Sequence, residues 1–99
     1  MDFDYVDKNE TLNGCRIVIK KENGAQHWGV IKSNGEFLVP LFFHNIVVEN
    51  EDAGNNRFRV DLTRKQEVHS YWTSDTGKDV DNGRDMIRGV FKLAGGYDY

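Results

Sequence analysis

Hydrophobic and polar positions alternate with period two over most of the chain, which is the spacing of half-buried strands. Cys15, Ile17 and Ile19 fall on one side and Arg16, Val18 and Lys20 on the other, giving a strand over Cys15–Lys20. Asn23-Gly24 is the strongest hairpin signal in the chain, because a type I′ turn needs positive φ at both central residues. The return strand runs from Gln26 to Lys32, Ser33-Asn34-Gly35 repeats the turn chemistry, and Glu36–Val39 is a third short strand. Pro40 has no N–H for a ladder and marks a strand end or corner. Leu41–Asn45 reads as a helical turn that tucks an aromatic over the sheet, and Ile46–Val48 as a buried strand.

The second half repeats the style. Glu49–Asn56 reads as an acidic loop containing Gly and Asn. Arg57–Leu62 alternates cleanly, with Phe58, Val60 and Leu62 inward and Arg57, Arg59 and Asp61 outward. Thr63–Glu67 is a polar turn. The strand Val68–Thr73 sets Val68, Ser70 and Trp72 against His69, Tyr71 and Thr73. Ser74–Gly77 turns again and Lys78–Gly83 is loop. Arg84–Leu93 has apolar spacing that suits a short helix, but Gly89 in its middle is unfavourable by about 1 kcal/mol against Ala; a strand over Gly89–Leu93 is the preferred reading. At the N-terminus Phe3 and Tyr5 suit a short edge strand. Residues 1–14 and 94–99 are expected to be loose ends of one domain spanning 1–99.

Ninety-nine residues with 38% hydrophobic and 29% charged positions describe one globular domain. Two Trp, four Tyr and six Phe supply much of the core volume. The net charge of −3 argues against nucleic-acid binding, which needs a basic face, and suits a basic protein partner. Cys15 is the single cysteine, so no internal disulfide forms and a reducing compartment is expected. The acidic N-terminus does not read as a signal peptide and no apolar run approaches the roughly 20 residues of a membrane helix, so a cytoplasmic location is expected.

A displacement of 42 residues superposes Cys15–Leu38 on Arg57–Val80 without a gap, placing Val18 on Val60, His27 on His69 and Gly35 on Gly77. Trp28-Gly29-Val30-Ile31, then Asn34-Gly35, Val39-Pro40, Phe43 and Ile46, resemble the WG (KWG) repeat of bacterial proteins. The resemblance covers residues 15–62; residues 63–80 keep Gly77 but have Ser70-Tyr71 where Trp-Gly would stand, as in a degenerate, capping copy. The resemblance implies a fold of β-hairpins and an interaction module without a reaction. In physical terms Trp28 is expected to anchor the core while its N–H finds an acceptor. Gly29 is expected to admit a neighbouring strand, and Gly35 and Pro40 to shape turns.

Candidate chemistry is sparse. His27, His44 and His69 lack any zinc-motif spacing, and one cysteine cannot build a structural zinc site. An EF-hand register placed on Gly54 leaves Ala53 and Val60 at ligand positions, so calcium is not expected. Ser70 beside His69 faces the opposite way and makes no triad. Cys15 reads as a small buried hydrophobe. No cofactor or metal is expected. The candidate partner-binding residues are Tyr71 and Trp72, neighbours on one strand with opposite facings, and the acidic Glu49, Glu51 and Asp52.

These patterns predict an all-β fold of roughly six to eight antiparallel strands in a twisted sheet or small partly open barrel, closed by a short C-terminal helix or strand. The expected function is non-catalytic protein binding, as a small stoichiometric inhibitor or immunity-type protein of bacterial or phage kind. Self-association through strand edges is the alternative, and a small-ligand or enzymatic domain a more distant one.

Overall fold

The computed structural model describes residues 3–11, 13–50, 56–76 and 83–95. Within them lie β1 (Tyr5–Val6), β2 (Arg16–Glu22), β3 (Ala25–Ile31), β4 (Phe37–Phe43), β5 (Asn45–Asn50), β6 (Asn56–Arg64), β7 (Glu67–Ser74) and α1 (Gly83–Leu93). Two open antiparallel sheets result, ordered β1-β2-β3-β4 and β5-β6-β7. The expected all-β fold with a short C-terminal element is the fold observed.

The β2–β3 turn has φ of 50° at Asn23 and 79° at Gly24, the left-handed pair that a type I′ turn requires. Lys65 and Gln66 carry φ of 48° and 66° between β6 and β7. The backbone is of the same kind there, but neither residue favours it. Ser33-Asn34-Gly35 makes a longer loop instead of a second two-residue turn. The Lys32 N–H donates to the Glu36 carbonyl at 2.8 Å and the Gly35 N–H to the Lys32 carbonyl at 2.9 Å. Only Gly35 takes positive φ there.

The two hairpins share one register. Arg16 faces Ile31 and Glu22 faces Ala25 in the first; adding 42 to each number gives Phe58 opposite Thr73 and Arg64 opposite Glu67, the pairs of the second. Their core faces are opposite. Ile17 and Val30 enter the core from the first hairpin, whereas Phe58, Val60 and Leu62 enter it from the second. Displaced by 42, Ile17 and Val30 become Arg59 and Trp72, a facing pair that is partly exposed and absent from the core.

Pro40 does not end its strand. It is buried within β4, where the register jumps from Val30 opposite Val39 to Trp28 opposite Phe43. Such an irregularity asks no ladder hydrogen bond of the proline. The expected helical turn over Leu41–Asn45 is likewise replaced by extended chain. β4 runs through the single bend at His44 into β5, so one length of chain serves both sheets. His44 fixes the corner: its N–H donates to the Asp61 carbonyl at 3.0 Å, and its Nδ1 accepts the Thr63 N–H at 2.9 Å. The expected loop Glu49–Asn56 is shorter than its pattern suggested, because Glu49 and Asn50 belong to β5 and Asn56 to β6; residues 51–55 lie outside the described residues.

The core gathers Cys15, Ile17, Val30, Val39 and Phe43 from the first sheet with Ile46, Phe58, Val60 and Leu62 from the second. Its fully buried rings are Phe43 and Phe58. Trp28, the expected anchor, packs against the margin of this core and is only half-buried. Its indole N–H donates to Gln26 Oε1 at 3.3 Å, and that polar tip keeps the ring near the surface. Gly29 has no room for a side chain: a Cβ there would lie 2.7 Å from the Val39 carbonyl oxygen and 3.0 Å from Pro40.

The strand preferred over Gly89–Leu93 is corrected to helix. Ile87 is a core residue and Val90 packs against the core, a spacing of one helical turn. Phe91 meets Phe42 edge to face at 5.6 Å. Gly83 lies against the Trp72 backbone, leaving no space for any Cβ. Gly95, with φ of 90°, follows the helix in the left-handed conformation usual after a last turn. Asp85 in the first turn and Lys92 in the last oppose the helix dipole. These contacts outweigh the local penalty of Gly89.

Asp75 ties the beginning of the chain to its later part. Its Oδ1 accepts the Asn13 amide at 2.9 Å, its carbonyl accepts the Cys15 thiol at 3.3 Å, and its N–H donates to the Asn56 carbonyl at 2.9 Å. Among the described residues no helix is long and apolar enough to cross a membrane.

Candidate functional site

The outer face of the second sheet is built by register. Asn45 faces Asp61, Val47 faces Arg59 and Glu49 faces Arg57 across β5 and β6. Arg59 faces Trp72 and Asp61 faces Ser70 across β6 and β7. Strand alternation sends all of these to the side away from Phe58 and Val60. A row of charged and amide groups thus crosses the sheet with one indole set into it.

The face is held by its own bonds. Glu49 Oε1 accepts the Trp72 indole N–H at 3.1 Å and the Arg57 Nε–H at 2.9 Å. Arg59 lies between two carboxylates: Nη1 is 4.0 Å from Glu49 Oε2 and Nη2 donates to Asp61 Oδ2 at 3.4 Å. Its Nε is 3.3 Å from Asp61 Oδ1 but lacks the alignment of a hydrogen bond; that contact is an ion pair only. The Arg57 and Arg59 side chains are 38% and 36% exposed, so each pair alone contributes about 0–1 kcal/mol. Their weight lies in fixing orientation.

Asp61 is the buried member, with 11% of its side chain exposed. It accepts Ser70 Oγ at 2.7 Å and the Asn45 amide at 3.0 Å. Burial works to raise its pKa, but the hydrogen bonds from Ser70 and Asn45 and the Arg59 charge prevail, and the carboxyl sits below its ordinary range. Elsewhere, burial raises the Cys15 thiol above its usual pKa despite a lowering hydrogen bond involving Thr11. A buried thiol of that kind is not a poised nucleophile.

Two of the sequence-predicted residues, Trp72 and Glu49, are brought into direct contact. Tyr71 faces the other way and packs against the core. Glu51 and Asp52 lie outside the described residues. Trp28, Gly29, Pro40 and Phe43 all belong to the first sheet, and Gly35 lies in the β3–β4 turn. The histidines are apart in role: His27 is half-buried on β3, His44 holds the corner, and His69 is exposed beside Glu67 at 3.8 Å. Among the described residues no group of three His, Cys, Asp or Glu side chains is placed to hold a metal ion.

Sequence reasoning did not single out Arg57, Arg59, Asp61, Asn45 and Ser70. The signal was present: once Lys65-Gln66 is taken as a two-residue turn, Arg59 must face Trp72 and Asp61 must face Ser70. No protein-family model, curated protein or solved structure matches the chain.

Proposed function

We propose that this chain is a non-catalytic protein-binding module that acts as a small stoichiometric inhibitor, of the immunity-protein kind, through the outer face of β5, β6 and β7. The observation that carries this reading is the Trp72 indole held by Glu49 beside Arg57 and Arg59. Trp and Arg dominate the energetics of protein interfaces. Side chains already fixed by neighbours lose less entropy when a partner covers them. The likeness of Trp28-Gly29 through Pro40 to the WG unit supports the same reading, since that family is associated with interaction and not with a reaction. The acidic balance of the chain favours a basic partner, steered by Glu49, Glu51 and Asp52.

The test is affinity capture from the native cell, followed by titration of the purified partner. Trp72→Ala should weaken binding by at least about 30-fold while the thermal transition is kept, as for a hot-spot residue. Equal affinity for wild type and a folded Trp72→Ala variant would reject this face. A second reading, self-association, is favoured by one observation: β5 is an edge of its sheet, and exposed edges recruit strands. Sedimentation over a range of concentrations separates the two, because only self-association makes size depend on concentration.

A further inference from the structure

A half-open groove of about 340 Å³ lies between residues 7–11 and the far end of β5. Asp7, Asn9, Glu10 and Thr11 form one wall, and Val48 and Asn56 the other. It shares no residue with the Trp72 network, although β5 borders both.

The ladder shows which backbone groups of β5 are free. Arg64 and Glu67 flank the two-residue turn at Lys65-Gln66, so they exchange hydrogen bonds. Bonded pairs recur at every second residue, and the Asn56 carbonyl accepts the Asp75 N–H in the same phase. Even-numbered residues of β6 thus bond to β7, and odd-numbered ones to β5. Their partners are Asn45, Val47 and Glu49. The N–H and C=O of Val48 and Asn50 therefore point away from β6, along the edge of the sheet. Among the described residues no backbone group bonds to them there.

The side chains beside that edge form a second half of the site. Val48 faces Phe58 on the core side, yet it is 41% exposed, so the core is open at this margin. Asn56 gives an amide N–H to Asn50 Oδ1 at 3.2 Å and keeps its own oxygen as an acceptor. Glu10 is engaged by Arg16 at 3.4 Å, whereas Asp7 Oδ1 accepts the neutral Asn9 N–H at 3.1 Å. Two carboxylates against that one guanidinium leave a single negative charge, at Asp7. No cation is among the described lining residues.

We propose that β5 accepts an extended segment of the partner as an added strand, with one Lys or Arg side chain of that segment in the groove. Val48 and Asn50 bond its main chain, as in other cases of strand addition. The methylene stem of the basic residue covers Val48, and its head meets Asp7 and the Asn56 oxygen. This rests on the reading of the chain as a protein-binding module and names the chemistry of what it binds. A second copy fits less well, because its own β5 reads Asn-Ile-Val-Val-Glu-Asn and brings a carboxylate and no base.

The test is titration of the full chain with a capped heptapeptide of alternating Val and Lys, followed by backbone amide NMR. Saturable shifts should be confined to residues 7–11, 45–50 and 56, with slowed exchange of the Val48 N–H. Methylating one alternate set of peptide amides should abolish binding and methylating the other should spare it, since only one set faces β5. A Val-Glu peptide should bind at least about tenfold more weakly. Val48→Pro removes an edge donor that the fold does not use and should weaken binding about tenfold. Asp7→Asn keeps the acceptor for the Asn9 N–H and should weaken it severalfold. That variant and the methylated peptides remain decisive if Val48→Pro does not fold. Trp72→Ala should leave the peptide affinity unchanged. Equal binding of both methylated peptides rejects the added strand, and equal binding of the Val-Glu peptide rejects the basic residue. Doubling of mass without peptide, with the Val48 N–H already protected, gives the edge to a second copy and rejects the proposal. A captured partner that Trp72→Ala releases, with no binding of the Val-Lys peptide, keeps the module and overturns this groove alone.

Discussion

The two hairpins of this molecule have the same register and opposite insides. Displaced by 42 positions, each pair of β2–β3 lands on a pair of β6–β7. Ile17, opposite Val30, becomes Arg59, opposite Trp72; Arg16 becomes Phe58. Backbone pairing and side-chain burial are thus separable properties of a strand pair. The turn and ladder set the first, and the phase of the hydrophobic alternation sets the second. The first hairpin is also covered twice, since Val18 on its other face is fully buried. The second leaves one face to solvent, and there the charged network with Trp72 is found.

The sharpest way to break this comparison is to truncate matched positions. Phe58→Ala removes a fully buried ring and should cost about 3–5 kcal/mol in urea unfolding. Arg16→Ala, its displaced counterpart, gives up surface contacts to the Asp7 and Lys8 carbonyls and should cost about 1 kcal/mol or less. Similar losses at both positions would mean the insides are not exchanged.

Next in size is Asp61, whose displaced counterpart is the buried Ile19. Asp61→Ala strands the Asn45 and Ser70 donors and the Arg59 charge, and should cost about 2–3 kcal/mol. The same carboxylate gives a pH signature. Its folded pKa lies below the unfolded value, so its contribution is complete above about pH 4 and is lost as pH falls through the lowered folded pKa. Wild type should therefore lose more thermal stability between pH 5 and pH 2 than Asp61→Asn does. Parallel melting curves for the two would place the acid sensitivity elsewhere.

The turns give a smaller effect. Lys65 and Gln66 occupy the left-handed region that Asn23 and Gly24 occupy more readily. Replacing Lys65-Gln66 by Asn-Gly should stabilise the chain by about 1 kcal/mol, and the reverse exchange at Asn23-Gly24 should destabilise it by a similar amount. Reciprocal shifts in urea midpoint would show that the two turns are equivalent. Smallest is the element after each hairpin, a strand in the first case and α1 in the second. A Cβ on Gly89 meets nothing within 4 Å, so Gly89→Ala should stabilise by about 0.5–1 kcal/mol through helix propensity alone. A loss of stability on that substitution would show that α1 needs the flexibility of glycine.

Much of this was legible in the sequence for reasons these positions make plain. Asn23-Gly24 and the alternation Phe58-Val60-Leu62 are local signals, and local signals specified both hairpins. The helix was hidden because a short apolar run fits either period; Gly83 against Trp72 and Ile87 in the core decide it, and neither contact is local. Pro40 misled for a related reason, since a bulge removes the ladder bond whose absence would otherwise end a strand. On the outer face, Trp72 and Glu49 were each visible as residue types. Their contact was not, because it joins positions 23 apart and depends on the turn at Lys65-Gln66.

The bond from the Cys15 thiol to the Asp75 carbonyl joins residues 60 positions apart, and Ile87 completes the core from nearer still to the C-terminus. A polypeptide leaving the ribosome therefore forms its first hairpin well before its interior can be sealed. Until β5 and β6 have emerged, the core side of the first hairpin, with Ile17 and Val30, lacks its partners Ile46, Phe58, Val60 and Leu62, and stalled chains ended at residue 44 should be cut by protease where those ended at 95 resist. Synthesis leaves an oily surface in the open until the strands of the second sheet follow and hide it.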